Sequence, residues 1–363
     1  MRVVAKIGTS SLTDGLGVID ERVIDGVCDQ LARLRDAGHE VLLVSSGAVS
    51  AGVAALGLGA RPTDMVTLQA ISAAGQSRLM ETYNRSLGRH GLVAAQVLLV
   101  PNDFIDRRQY LHARQTLLRL LELGCVPVIN ENDAIASTEL RYGDNDRIAA
   151  LVAHNVGADV LVLLTDTPGL FTADPRTDPS ATLVEVVGAD DPLLSVTAGE
   201  SGSNRGSGGM ASKLSAARMA SWSGVRAVIG QASRPDVLVD AVEGRSVGTA
   251  FLPRARSLSA RKLWIGFAAG TEGALVVDDG ARRALVERGT SLLPAGITEV
   301  VGTFEEGDVV EVRDAGGAAI ARGLVLSDAT VLRQHCGRRS ADLPEHMPHE
   351  AIHRDDLVLL VET

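Results

Sequence analysis

Short apolar runs recur from the N-terminus to about residue 250: "RVVAKI", "EVLLVSS", "LVAAQVLLV", "VPVIN", "ADVLVLLT" and "RAVIG". None alternates with polar residues, as a strand with one wet face would. Such runs are the mark of strands buried on both faces. Segments of helical period, such as "LARLRDAG" and those reaching to about Gly88, separate most of them. Strand and helix in alternation predict an α/β domain with a mostly parallel open sheet and helices on both faces.

A chain of 363 residues exceeds one ordinary core, so a second domain is expected. The composition changes near residue 250. "PRARSLSARK" is polar and basic without an acid and reads as a linker. Beyond it, "GALVVDDGARRALVERGTSLLPAGI" predicts one strand and one short helix. "DVVEVRD", "AAIARGLVLS" and "DLVLLVE" follow as short strands of a small β-rich domain. The expected division is 1–252, a linker at 253–268, and 269–363.

Charge and ring content narrow the function. A net charge of −10 with 3% aromatic residues disfavours a general nucleic-acid binder. The start "MRVVAKIGTSSL" reads as a buried strand rather than a secretory signal, and "GLVAAQVLLV" is about half the roughly 20 residues of a membrane span. Cys28, Cys125 and Cys336 form no CxxC pair, which suits reduced thiols in a cytoplasmic protein.

In parallel sheets ligands gather beyond the carboxyl ends of the strands. Here those ends are small, polar and glycine-rich: "KIGTSS", "SSGAVSAG", "NEND" and "TDTPGLF". They present backbone N–H groups suited to an anion such as phosphate. Lys6, followed by Gly8, Thr9 and Ser10, adds an ammonium to one of these turns. "GSGGMASK", Gly206 to Lys213, brings a second lysine at a helix start, without the spacing of a Walker loop. It reads either as a flexible linker or as a glycine loop closing on nucleotide. Ser46 and Gly47 offer donors for a carboxylate, or simply cap a helix. "VINEND" has more polar groups than a turn needs, and Asp133 in it could bind an ammonium. "RYGDND" likewise places Asp144, Asn145 and Asp146 where one cap would do. No zinc-binding histidine spacing and no serine or cysteine nucleophile motif appears.

The strings "AKIGTSSLT", "SSGAVSAG", "NENDAIASTELRYGDND", "LLTDTPGLFTADPR", "GSGGMASKLSAA", "VLSD" and "AIHRDDLVLL", in this order over nearly the whole chain, resemble the glutamate 5-kinases. These are members of the amino-acid kinase family with a C-terminal PUA-like domain. The resemblance implies ATP-dependent phosphorylation of the side-chain carboxylate of L-glutamate to glutamyl 5-phosphate, for proline biosynthesis, with Mg²⁺. It implies Lys6 and Lys213 on the ATP phosphates and Asp146 positioning both. Ser46, Gly47, Asn130, Asp133 and Asn145 are expected at glutamate. Gly8, Thr165, Asp166 and the loop Gly206, Ser207, Gly208, Gly209, Met210, Ala211, Ser212 and Lys213 are expected at the nucleotide. No metal ligand is assigned; Asp144 is left to cap the helix or lie near Mg²⁺.

The resemblance further implies a cytoplasmic homo-oligomer, dimer or tetramer, with feedback inhibition by proline and hand-over of product to glutamyl phosphate reductase. His112, Val100-Pro101 and Phe171 depart from the family pattern. The alternatives are another amino-acid kinase, such as an N-acetylglutamate kinase, and RNA binding through the PUA-like domain. For the latter, Arg282, Arg283 and Arg288 would be the basic face, and the bland reading makes them a solvated helix surface.

Overall fold

A computed structural model describes residues 1–14, 18–104, 106–135, 144–189, 191, 208–255, 258–268, 270–339, 342–344 and 347–361. Two compact units divide just before Leu258. In the first, the apolar runs become β1 (Arg2–Ile7), β2 (Glu40–Ser45), β3 (Ala94–Leu99), β4 (Val126–Glu131), β5 (Val160–Thr165), β6 (Val186–Val187), β7 (Arg226–Gln231) and β8 (Gly248–Phe251). The sheet order is β3-β4-β2-β1-β5-β7-β8-β6. From β3 to β7 every pairing is parallel. Only β8, with β6 beside it, runs against the rest.

The helices are α1 (Thr9–Leu12), α2 (Glu21–Asp36), α3 (Ala48–Ala55), α4 (Met65–Gly88), α5 (Arg107–Glu122), α6 (Asp144–Val156), α7 (Gly208–Trp222) and α8 (Val237–Val242). They pack on both faces of the sheet: α2, α4 and α8 on one side, α5, α6 and α7 on the other. The period of two in a strand then decides which side chain meets which helix. Val3, Ala5 and Ile7 of β1 join the core with α2, α4 and α8, so Lys6 is turned to the α6 face. On β4, Val126 and Val128 share the α2–α4 core, and Asn130, two residues on, faces α4. Helix α6 is apolar nearly all round, and Ile148 through Ala153 are fully buried. Burial on every side is what such a sequence requires.

Helices α3 and α4 touch backbone to backbone. A Cβ on Gly75 would lie 1.9 Å from the Ala48 carbonyl oxygen, and one on Gly52 would lie 2.0 Å from that of Ile71. Glycine at both positions is what permits this approach.

The second unit carries β9 (Gly273–Val277), β10 (Ile297–Gly302), β11 (Val309–Arg313), β12 (Ala319–Val325) and β13 (Ile352–Leu359), with order β10-β9-β11-β12-β13. Leu275, Val310, Val312, Ile320 and Ile352 form its core with Leu285 and Leu332. Those two come from α10 (Asp279–Arg288) and α11 (Ala329–His335), which follow α9 (Ala260–Leu263). The stretch read as a linker is thus partly structured: α9 and a π-helical turn (Trp264–Ala268) occupy it, and Ile265 is fully buried. Its basic residues serve packing, with Lys262 donating to the Arg354 carbonyl at 3.1 Å. On α10, Arg282 lies 3.8 Å from Asp314, while Arg283 and Arg288 are exposed. Among the described residues no helix is long and apolar enough to cross a membrane.

Candidate active site

The first two residues of α6 that follow Asp144 organise the carboxyl-end rim of the sheet. Asp146 is 1% exposed. Its Oδ1 is 2.6 Å from Lys6 Nζ and its Oδ2 is 3.4 Å from Lys213 Nζ. Ser212 Oγ donates to the same Oδ2 at 2.6 Å, and Lys213 Nζ also donates to the Gly209 carbonyl at 3.2 Å. Both lysines are buried. Burial would push the Asp146 carboxyl up, but Lys6, Lys213 and Ser212 together hold it below the usual carboxylate range. Burial, with Lys213 nearby, lowers Lys6 despite Asp146.

Among the described residues two ammonium groups share one carboxylate, which leaves one positive charge in a desolvated place. Charge there is costly until an anion matches it. Gly8 lies beside this centre, where a Cβ would come within 3.2 Å of Lys6 Nζ. Gly208 to Lys213 form the first turns of α7 rather than a loop, because "MASKLSAA" is a good helix former. Gly206 and Ser207 lie outside the described residues, as do Ser137 to Gly143.

Asn145 organises the other half of the rim. Its Nδ2 donates to Ser46 Oγ at 3.0 Å and to Asn130 Oδ1 at 2.9 Å, while its Oδ1 accepts from the Glu131 N–H at 3.2 Å. Gly47 adopts a left-handed φ of 104° at the start of α3, a turn suited to glycine. Asp133 accepts from Ser72 Oγ at 2.5 Å. Burial pushes its carboxyl above the usual range, against the pull of Ser72 and Arg61. A cleft of about 230 Å³ lies here, lined by Ser72, Gln76, Gln96, Glu131 and Asp133 among others.

On the strand next to β1, Thr165 is buried and donates to Asp166 Oδ1 at 3.0 Å. Asp166 itself is exposed at the rim. The structure therefore brings Lys6, Gly8, Asp146, Ser212 and Lys213 into one cluster and Ser46, Asn130 and Asn145 into a second. Adjacent residues of α6 join the two. Met210 and Ala211 lie on the first turn of α7 without a polar contact of their own to either cluster. The residue change at His112 falls on the exposed face of α5, and Phe171 bridges to Leu183.

Ser72, Gln76 and Gln96 belong to this region without standing in any of the strings that mark the strand ends. The available signal was a pair of polar residues four apart on one face of an Ala/Gly-rich helix, "SAAGQ". That spacing puts both against the same neighbour.

A parallel sheet with small polar turns at its carboxyl ends, and two buried lysines on one aspartate, defines a protein that handles a polyanionic small molecule, as nucleotide-dependent kinases do. The sequence model of the amino acid kinase family matches residues 1–231, and that of the PUA domain matches residues 273–347. A glutamate 5-kinase of Mycolicibacterium vanbaalenii is 47% identical over 356 residues, covering 98% of this chain and 96% of its own. One of Synechococcus sp. is 46% identical over 363 residues, covering 99% and 98%. Among solved structures, carbamate kinase from Giardia lamblia bound to AMP-PNP superposes with a TM-score of 0.50 at 18% identity, over 70% of this chain and 98% of that one, a likeness of fold. The chain belongs to the amino acid kinase family and, within it, to the glutamate 5-kinases.

Proposed function

We propose that this chain transfers the γ-phosphoryl group of ATP to the side-chain carboxylate of L-glutamate, the step that opens proline biosynthesis. The observation that carries the reading is the Lys6–Asp146–Lys213 centre, whose spare positive charge calls for a multiply charged anion. Phosphoryl transfer spreads negative charge over the equatorial oxygens, and preorganised ammonium groups stabilise it. Asp146 acts as a positioning residue, holding the two lysines apart and in place. Gly8, Thr165, Asp166 and the first turn of α7 border the nucleotide in this reading.

No general base is required. A glutamate side chain has a reference pKa of about 4.3 and arrives ionised at neutral pH. What the site must supply is position and charge. Ser46, with Asn145 and Asn130 behind it, holds the acceptor carboxylate, and the half-buried Asp133 pairs the ammonium of the free amino acid. That ammonium would be costly to desolvate without an anion, which favours glutamate over its N-acetylated form.

ATP would be used as its Mg²⁺ complex, since Mg²⁺ favours phosphate oxygens and water. The exposed Asp166 carboxylate would be the rim residue to hold the ion, which would supply further charge neutralisation at the phosphates. The three free cysteines suit a reducing cytoplasmic setting.

Glutamate-dependent ADP release, with the acyl phosphate trapped as a hydroxamate, tests the reading. Glutamate should give hydroxamate and N-acetylglutamate should not; the reverse would assign another substrate. The same reading carries homo-oligomerisation, inhibition by proline and hand-over of the labile product to a reductase. Sedimentation, proline titration and a coupled assay with glutamyl phosphate reductase measure these in turn.

A further inference from the structure

The side-chain amides behind the site form a chain of hydrogen bonds whose direction is set by one backbone group. The Glu131 N–H can only donate. It gives to Asn130 Oδ1 at 2.9 Å and to Asn145 Oδ1 at 3.2 Å, so both oxygens face it and both Nδ2 groups face away. An amide nitrogen carries two hydrogens. Those of Asn145 go to Asn130 Oδ1 and Ser46 Oγ, and both are therefore occupied within the protein. A hydroxyl that accepts from Asn145 has its own hydrogen left for another acceptor.

The opposite end of the chain is equally constrained. Asn130 Nδ2 needs an acceptor and finds Gln76 Oε1 at 2.8 Å. Gln76 Nε2 then points to Gln96 Oε1 at 3.3 Å. Asn130 is 2% exposed and Gln76 8%, so bulk water does not readily replace either partner. With Gln76 gone, the Asn130 amide loses the acceptor that keeps its nitrogen on the α4 side. A turned amide would set Nδ2 against the Glu131 N–H and the Asn145 Nδ2, donors against donors.

We propose that Gln76 is a positioning residue for the acceptor side of the site. Through Asn130 and Asn145 it fixes the direction of the Ser46 hydroxyl, so that Ser46 donates to the substrate carboxylate and Asn145 supports Ser46 rather than holding substrate itself. This rests on the reading that glutamate binds at Ser46. Its reach is the acceptor substrate, since no link of the chain touches Lys6, Lys213 or Asp146.

The test uses the full chain with Gln76→Leu and Gln76→Glu, each alone and combined with Ser46→Ala, followed by steady-state kinetics and thermal melting. The glutamic acid variant, ionised or not, keeps an oxygen that accepts from Asn130. A net hydrogen-bond contribution corresponds to a loss of about fivefold to tenfold, so Gln76→Leu should raise the glutamate KM by that factor while the ATP KM stays within about twofold. Gln76→Glu should return the glutamate KM to within about threefold of the parent. In the Ser46→Ala background, Gln76→Leu should add little, because the group it acts through is gone.

An unchanged glutamate KM in Gln76→Leu overturns the inference. So does an equal rise in both KM values, or the same loss with Ser46 already removed. If the leucine variant does not fold, Gln76→Met, unbranched and of similar length, replaces it in the same comparison. A parent enzyme inactive on glutamate would instead refute the functional reading, whereas an active parent indifferent to residue 76 refutes this inference alone.

Discussion

Lys6 at the end of β1 and Lys213 in the second turn of α7 meet across a single carboxylate, at 2.6 Å and 3.4 Å from the two oxygens of Asp146. Among the described residues neither lysine has a carboxylate to itself. The centre is complete in its geometry and incomplete in its charge, and that difference separates effects on stability from effects on catalysis.

Replacing one lysine removes the excess charge. Lys6→Met or Lys213→Met leaves a one-to-one ion pair, so each variant should fold with a melting temperature close to the parent's. Each should lose about 10² to 10³ in rate, the usual effect of deleting one preorganised donor. Melting with and without MgATP, alongside ADP release, checks both parts. Activity within a few-fold of the parent would remove the lysine from the mechanism.

Removing the shared anion has the opposite consequence. Asp146→Asn leaves two buried ammonium groups facing each other. Loss of one partner from a buried ion pair typically costs about 3–5 kcal/mol, so the urea midpoint should drop accordingly. Inorganic triphosphate should restore part of the loss, because it supplies the missing negative charge. A midpoint that does not move would show that the lysines are neutral or satisfied elsewhere.

Lys6 is held below the ordinary lysine value of 10.5, by burial first and by Lys213 as well, against the attraction of Asp146. Between its depressed value and 10.5 the folded protein binds fewer protons at this position than the unfolded chain does. Its contribution to stability therefore rises with pH across that window, while the charge that the proposed phosphate contact requires is lost. Buried Cys28, pushed up to about 12, and Tyr83, also raised, act in the opposite direction on the whole protein. The measurement is thus a difference: parent stability minus that of Lys6→Met should increase with pH while kcat/KM for ATP falls. A difference that is flat with pH would mean that Lys6 is not the titrating group.

Asp133 is half-buried, and this desolvation raises its carboxyl above the ordinary 3.8 despite Ser72 and Arg61. If it pairs the substrate ammonium, its ionised form is needed, and the glutamate KM should rise on acidification at a pH above the normal carboxylate range. Asp133→Asn should raise the glutamate KM much more than the ATP KM and abolish that pH dependence. Equal changes in both constants would place Asp133 elsewhere in function.

The sequence made the central strands legible because burial on both faces leaves unbroken apolar runs. It also displayed the polar ends of those strands. What it did not display were elements without such runs: β10, where most residues are exposed, and the short β6 and β8 at the sheet edge. Lys6 and Asp146 could be singled out by their local strings, but their meeting depends on strand alternation and on α6 crossing the sheet. The spacing in "SAAGQ" marks Gln76 as sharing a helix face with Ser72, but it does not name the partner. Its partner Asn130 lies on β4, and no local period in α4 announces a hydrogen bond to another element.

The contact between α3 and α4 offers a last prediction, because it links packing to substrate preference. Gly47, which starts α3, follows Ser46, while α4 carries Ser72 and Gln76; the two helices approach at Gly52 and Gly75. A methyl group at Gly75 would stand 1.9 Å from the Ala48 carbonyl oxygen and 2.3 Å from the Gly52 nitrogen, both backbone atoms that cannot swing aside. Gly75→Ala must therefore push the helices apart, at a cost of at least about 2 kcal/mol. It should raise the glutamate KM more than the ATP KM, since Ser46 and Gln76 lie on opposite sides of the displaced contact. Gly26→Ala is the control. Within α2 nothing lies within 4 Å of its added Cβ, so the same substitution there should stabilise by about 0.5–1 kcal/mol. Urea unfolding of the two variants separates steric contact from helix propensity, and a Gly75→Ala protein as stable as the parent would mean that the helices can part without loss.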